Sequence, residues 1–91
     1  MSTDFDEVNG RIRGLVIALS GVLSANEAGE VEEFLEHAEL GEALRTLAWI
    51  VVEEKKLIAL ADLMEMQLLA DRLGITGELP EGLSDHVVDA K

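Results

Sequence analysis

Apolar residues recur along this chain with the 3.6-residue period of an α-helix, and the pattern is interrupted at a few defined points. At 100° per residue, Phe5, Val8, Ile12, Leu15, Val16, Leu19 and Leu23 fall on one stripe, which predicts a first helix over Asp4–Val22. Thr3 is placed to cap it, with Asp6 at the third helical position. Gly10, Gly14 and Gly21 project from the opposite side, either as a solvent face or as a place where another backbone comes close. Ser24-Ala25-Asn26-Glu27 spells a capping box, so a second helix is expected over Ala25–Ala38. Its stripe is Ala28, Val31, Phe34, Leu35 and Ala38.

Leu40 would fall opposite that stripe, so the register must break near Glu39, and Gly41 would make the break inexpensive. A third helix, Leu40–Glu54, turns Leu40, Ala43, Leu44, Leu47, Ile50 and Val51 inward. The apolar run Leu47–Val52 could be a strand by itself, but the period on both sides is helical and no turn signal isolates it. Trp49 and Val52 leave the stripe and project near Arg45 and Lys56, so this helix is apolar on more than one face. A fourth helix, Ala59–Leu73, carries one stripe of Leu60, Leu63, Met66, Ala70 and Leu73 and another of Leu57, Met64 and Leu68. Gly74 suits a left-handed helix end, followed by Ile75 for the usual apolar contact. The segment from Gly77 to Gly82 is expected to be a loop, and Val87 and Val88 could dock a last turn beyond it. Short helices with short connections predict an all-α fold, a small antiparallel bundle of four main helices with an irregular C-terminal tail. We divide the chain into a helical bundle over residues 1–75 and a loop and tail over 76–91. The expected core is Ile12, Leu19, Val31, Leu35, Leu44, Leu47, Val51, Leu63 and Ala70.

Charge changes this picture most. Between Gly14 and Leu44 there is no lysine or arginine, yet Glu27, Glu30, Glu32, Glu33, Glu36, Glu39 and Glu42 are all present. Carboxylates without counter-charge in their own segment hold a negative potential that favours a basic partner. The formal net charge of −12 argues against binding nucleic acid, whose phosphates require clustered cations, and equally against anionic membranes. The opening residues are not a basic leader and no apolar run approaches a membrane span, so a cytoplasmic protein is expected.

Catalytic chemistry is sparse. With no cysteine there is no disulfide or thiol chemistry. His37 follows Glu33 by four residues, but a metal needs more ligands, and the only other histidine is His86. A row of solvated glutamates lacks the cleft that separates the pKa values of an acid–base pair. No Ser-His-Asp set and no phosphate-binding glycine loop is suggested. The expectation is a non-enzyme without cofactor or metal.

The run VEEFLEHAELGEALRTLAWI over Val31–Ile50 continues to EEKKLI at Glu53–Ile58 and to LADRLGI at Leu69–Ile75. It resembles the Maf-type immunity proteins of bacterial polymorphic-toxin systems, with Glu39, Gly41, Ala43 and Leu44 at the turn and Leu47, Glu53 and Glu54 at the helix end. The resemblance implies an antitoxin that binds a cognate toxin domain, many of which are basic nucleases, and presents carboxylates where substrate phosphates would sit. The partner-binding residues expected are Glu32, Glu33, Glu36, Glu39 and Glu42 on the acidic side, and Arg45, Trp49 and Val52 on the second face of helix 3. Trp49 could instead pack beneath the C-terminal tail. The alternative function is a helical adaptor or homodimerisation module with no toxin partner, suggested by the second apolar faces of helices 3 and 4.

Overall fold

Four α-helices account for most of the chain in a computed structural model, which describes residues 3–88, with side chains from Phe5 onward: α1 Thr3–Ala18, α2 Ala25–Glu36, α3 Leu40–Glu53 and α4 Leu60–Leu73. Two short 3-10 turns follow, Thr76–Glu78 and Leu83–His86. This is the small all-α bundle that the periodicity predicts. The proposed Thr3 cap lies outside the described side chains. α3 is the central element, touching α1, α2, α4 and the second 3-10 turn. All nine expected core residues are buried, joined by Val8, Leu15, Val16, Leu23, Leu40, Ala43, Ala48, Ile50, Ile58, Met66, Leu69 and Leu83. No buried side-chain nitrogen or oxygen among the described residues lacks a hydrogen-bond partner.

The second helix begins as its sequence dictates. Glu27 N–H donates to Ser24 Oγ at 3.1 Å and Ser24 N–H donates to Glu27 Oε1 at 2.8 Å, closing the capping box. Ser24 is extended (φ −74°, ψ 165°) as a cap requires, and α1 ends at Ala18, earlier than the expected Val22. Residues 19–23 turn instead, with Val22 and Leu23 both donating to the Leu19 carbonyl. Leu19 and Leu23 stay buried, which is why the apolar period outlasts the helix.

The other three helices end alike. Each closes with a residue in the left-handed region, and the amide after it reaches back five residues in the Schellman pattern: Glu39 to Phe34, Lys56 to Val51 and Ile75 to Ala70, each at 2.9 Å. The left-handed residues are Ala38 (φ 61°), Lys55 (φ 55°) and Gly74 (φ 74°). Gly74 behaves as expected. The break before α3 does not: Gly41 lies inside α3, and Ala38 makes the turn. Ala38 is therefore exposed and off the α2 stripe, and α2 stops at Glu36.

Two stripe assignments also change. Phe5 is 38% exposed and Leu60 is 55% exposed, whereas Leu69, which belongs to neither predicted stripe of α4, is fully buried. α4 turns Leu63, Met66, Leu69 and Ala70 inward and leaves Leu60, Met64 and Leu68 outside. Gly10 and Gly14 of α1, and Gly21 in the turn after it, have open space where a Cβ would sit, so no other backbone comes close at any of them.

Ion pairs fasten the helices at their flanks. Arg11 on α1 grips Glu65 on α4 with two bonds, Nε to Oε2 at 2.7 Å and Nη2 to Oε1 at 2.6 Å. Glu7 pairs with both Arg11 and Arg72. The segment after α4 returns to the bundle: Leu83 is buried, and Ile58 pairs with Val87 in a single parallel bridge. There Ile58 N–H donates to the His86 carbonyl, Val88 N–H to the Ile58 carbonyl, and His86 Nδ1 to the Lys56 carbonyl.

Candidate functional site

An open cleft of about 680 Å³ lies between α2 and α3, and it gathers much of the charge of this chain. α2 contributes Glu27 and Glu30; α3 contributes Glu42, Arg45, Thr46, Trp49, Ile50 and Glu53; Glu54 and Glu78 complete the wall. Six carboxylates thus surround one guanidinium. On α3 the cause is spacing: Arg45, Trp49 and Glu53 stand four residues apart and share a face. On α2, Glu27 and Glu30 are three apart, and the buried pair Val31 and Leu35 fixes which way they turn.

Arg45 does not cancel the field of the cleft. Its two terminal nitrogens hold Glu42 on one side and Glu78 on the other, tying the first 3-10 turn to α3. Lys56 Nζ approaches Glu27 Oε1 at 3.1 Å, joining the end of α3 to the first turn of α2. The Ser24 amide, and then Lys56, hold the Glu27 carboxyl below its ordinary pKa. Two carboxylates of the Gly14–Leu44 stretch, Glu27 and Glu42, therefore acquire counter-charges, both from outside that stretch. Glu30, Glu53 and Glu54 remain without an ion pair among the described residues, and all three are exposed. Trp49, the single tryptophan, is 46% exposed on this wall and is not covered by the described part of the tail.

The residues singled out by sequence are distributed over three places. Glu42, Arg45 and Trp49 meet in the cleft. Glu33 and Glu39 line a separate depression of about 460 Å³ with Glu30, Phe34 and His37. Glu32 and Glu36 are exposed and line neither, while Val52 is half-buried against the core. Glu42 accordingly does not extend the row on α2, because the turn at Ala38 carries it to Arg45. The cleft also takes in Glu27, Glu30, Glu53, Glu54 and Glu78, which come from three segments that only the fold brings together. Only the four-residue step from Trp49 to Glu53 was a signal for one of them.

His37 closes the C-terminal end of α2. Its Nδ1 donates to the Glu33 carbonyl at 2.8 Å, and that bond, with the charges of Glu33, Glu39 and Glu36, raises its pKa above the ordinary histidine value. Among the described residues no three histidine or carboxylate side chains are grouped to hold a metal ion, and no helix is long and apolar enough to cross a membrane. No family model, curated protein or solved structure matches this chain.

Proposed function

We propose that this chain is a non-catalytic immunity protein that binds and blocks a basic toxin domain, and that the α2–α3 cleft is the contact. The observation that carries the reading is Trp49, a half-exposed indole on a concave wall of glutamates. Tryptophan concentrates binding energy where it is desolvated by a partner, and its face accepts Lys or Arg side chains. Carboxylates around it supply the charge that steers a basic surface into place. An enzyme that normally grips phosphates offers such a surface, and the resemblance to Maf-type immunity proteins points the same way.

The test measures affinity for the toxin-like product of the adjacent gene. Glu30→Lys with Glu53→Lys should slow association and flatten its salt dependence. Glu32→Lys with Glu36→Lys makes the same charge change outside the cleft and should matter less. Trp49→Ala should speed dissociation. Equal effects from the two double reversals would remove the cleft as the contact, and an adjacent product that never binds would remove the immunity reading. The second reading, a self-associating module, draws on a different face.

A further inference from the structure

From Leu57 to Leu68 every exposed position is uncharged: Leu57, Ala59, Leu60, Ala61, Met64, Gln67 and Leu68. This is unexpected in a chain with 19 acidic residues. The two carboxylates within the stretch are half-buried and line a depression on the α1 side with Arg11, while the exposed Asp71, one turn beyond Gln67, lines the same depression as Met64 and Leu68 and borders the strip at its C-terminal end. Asp62 accepts the Ala59 amide at the start of α4, and Glu65 is held by Arg11 on α1. Leu57, Leu60, Met64 and Leu68 are each more than half exposed, at 60%, 55%, 54% and 54%. None of them lines the acidic cleft.

We infer that this face of α4 binds the same face of a second copy, forming a two-fold dimer centred on Met64. Three observations choose that occupant. Leu60, Met64 and Leu68 form one ridge at four-residue steps, the ridge that interdigitates in the commonest helix–helix packing. The ridge is symmetric about Met64, so a two-fold axis there lays Leu60 of each copy on Leu68 of the other and Ala61 on Gln67, as an isologous contact requires. Finally, two copies each carrying −12 repel wherever carboxylates face each other, and this strip, bordered by the single exposed carboxylate of Asp71, which a two-fold axis at Met64 sets away from its own copy in the partner, is where they can approach at low electrostatic cost. A basic partner would be drawn instead to the glutamates of α2 and α3. The dimer is independent of the immunity reading and leaves the cleft open.

One helix per copy makes a contact at the small end of specific interfaces, so the dissociation constant should be on the order of 10–100 µM. Sedimentation velocity over a concentration series should show monomer passing to dimer, with more dimer at high salt because salt screens the self-repulsion. That is the opposite of the salt dependence expected for a basic partner, so the two readings can fail separately. Met64→Glu, on an exposed position, sets two carboxylates against each other and should weaken the dimer by on the order of 100-fold. Because the chain has no cysteine, Met64→Cys provides a second measurement that does not rest on the first variant folding. Mild oxidation should convert it to a covalent dimer far faster than Glu32→Cys. A chain that stays monomeric at roughly millimolar concentration overturns the proposal. So does a dimer indifferent to Met64→Glu, or equal oxidation rates for the two cysteine variants.

Discussion

α2 and α4 lie in one small bundle and treat water in opposite ways. Both turn aliphatic side chains inward, Val31 and Leu35 from α2 and Met66 and Leu69 from α4. On the outside α2 presents Glu30, Glu32, Glu33 and Glu36, while α4 presents Leu60, Met64 and Leu68 and keeps its exposed charges, Asp71 and Arg72, to its last turn. Folding alone does not require either choice, since a mixed polar face would solvate both helices. The two faces select for different contacts. Carboxylates act at a distance and weaken with salt, whereas an apolar ridge acts only on touch and strengthens as charge is screened.

The comparison depends on which way α4 is rotated, and two adjacent leucines test that. Leu69 is fully buried and Leu68 is 54% exposed. Leu69→Ala should lower stability by about 2–5 kcal/mol through lost burial and the cavity left behind. Leu68→Ala, measured by chemical denaturation at a dilution where the chain is monomeric, should stay within about 0.5 kcal/mol of the parent. Comparable losses at the two positions would mean that the outer face of α4 is not outer.

That rotation was only half legible in the sequence. Both apolar stripes of α4 were visible, with Leu57, Met64 and Leu68 kept apart from the rest. Leu60 was grouped with Leu63 because the two are three residues apart, yet Leu60 faces water and Leu69 fills the core. Period alone cannot say which of two apolar stripes packs inward; contact with α1 and α3 decides it. The capping box of α2, the inward face of α3 and the left-handed end at Gly74 were legible because each rests on neighbours in sequence. The acidic cleft was legible only along α3, where Glu42, Arg45 and Trp49 share a face. Its remaining wall is assembled by tertiary packing.

The helix ends sharpen the comparison. α4 ends on Gly74, which takes its left-handed φ without steric cost, whereas α2 makes the same turn with Ala38. A Cβ at Gly74 would have no other atom within 4 Å, so Gly74→Ala should cost about 1 kcal/mol from backbone strain alone. Ala38 is exposed and gives up no packing, so Ala38→Gly should stabilise the chain by up to about 1 kcal/mol, reduced by the extra freedom glycine gains in the unfolded state. Thermal melts of the two variants should move in opposite directions. A loss at Ala38→Gly would mean that the Schellman turn is not what joins α2 to α3.

The smallest effects are those of pH, and here too the two helices oppose each other. On α2 the folded His37 has a raised pKa, first from its bond to the Glu33 carbonyl and then from the glutamates around it. Its contribution is complete below the ordinary histidine pKa and is lost as pH rises through the raised value. On α4 the folded Glu65 has a lowered pKa because Arg11 holds the ionised carboxylate. Its contribution is present above the ordinary glutamate pKa and is lost as pH falls through the lowered value, together with those of Glu7 and Glu27, which shift in the same direction. Stability should therefore be greatest between the two windows and fall on both sides. His37→Gln should flatten the alkaline side while leaving the acid side intact, and Glu65→Gln should soften the acid side while leaving the alkaline side intact. His37 is exposed and Glu65 is only partly buried, so the slopes will be shallow. If one variant altered both sides equally, the titrations would belong to the net charge of the fold and not to His37 and Glu65.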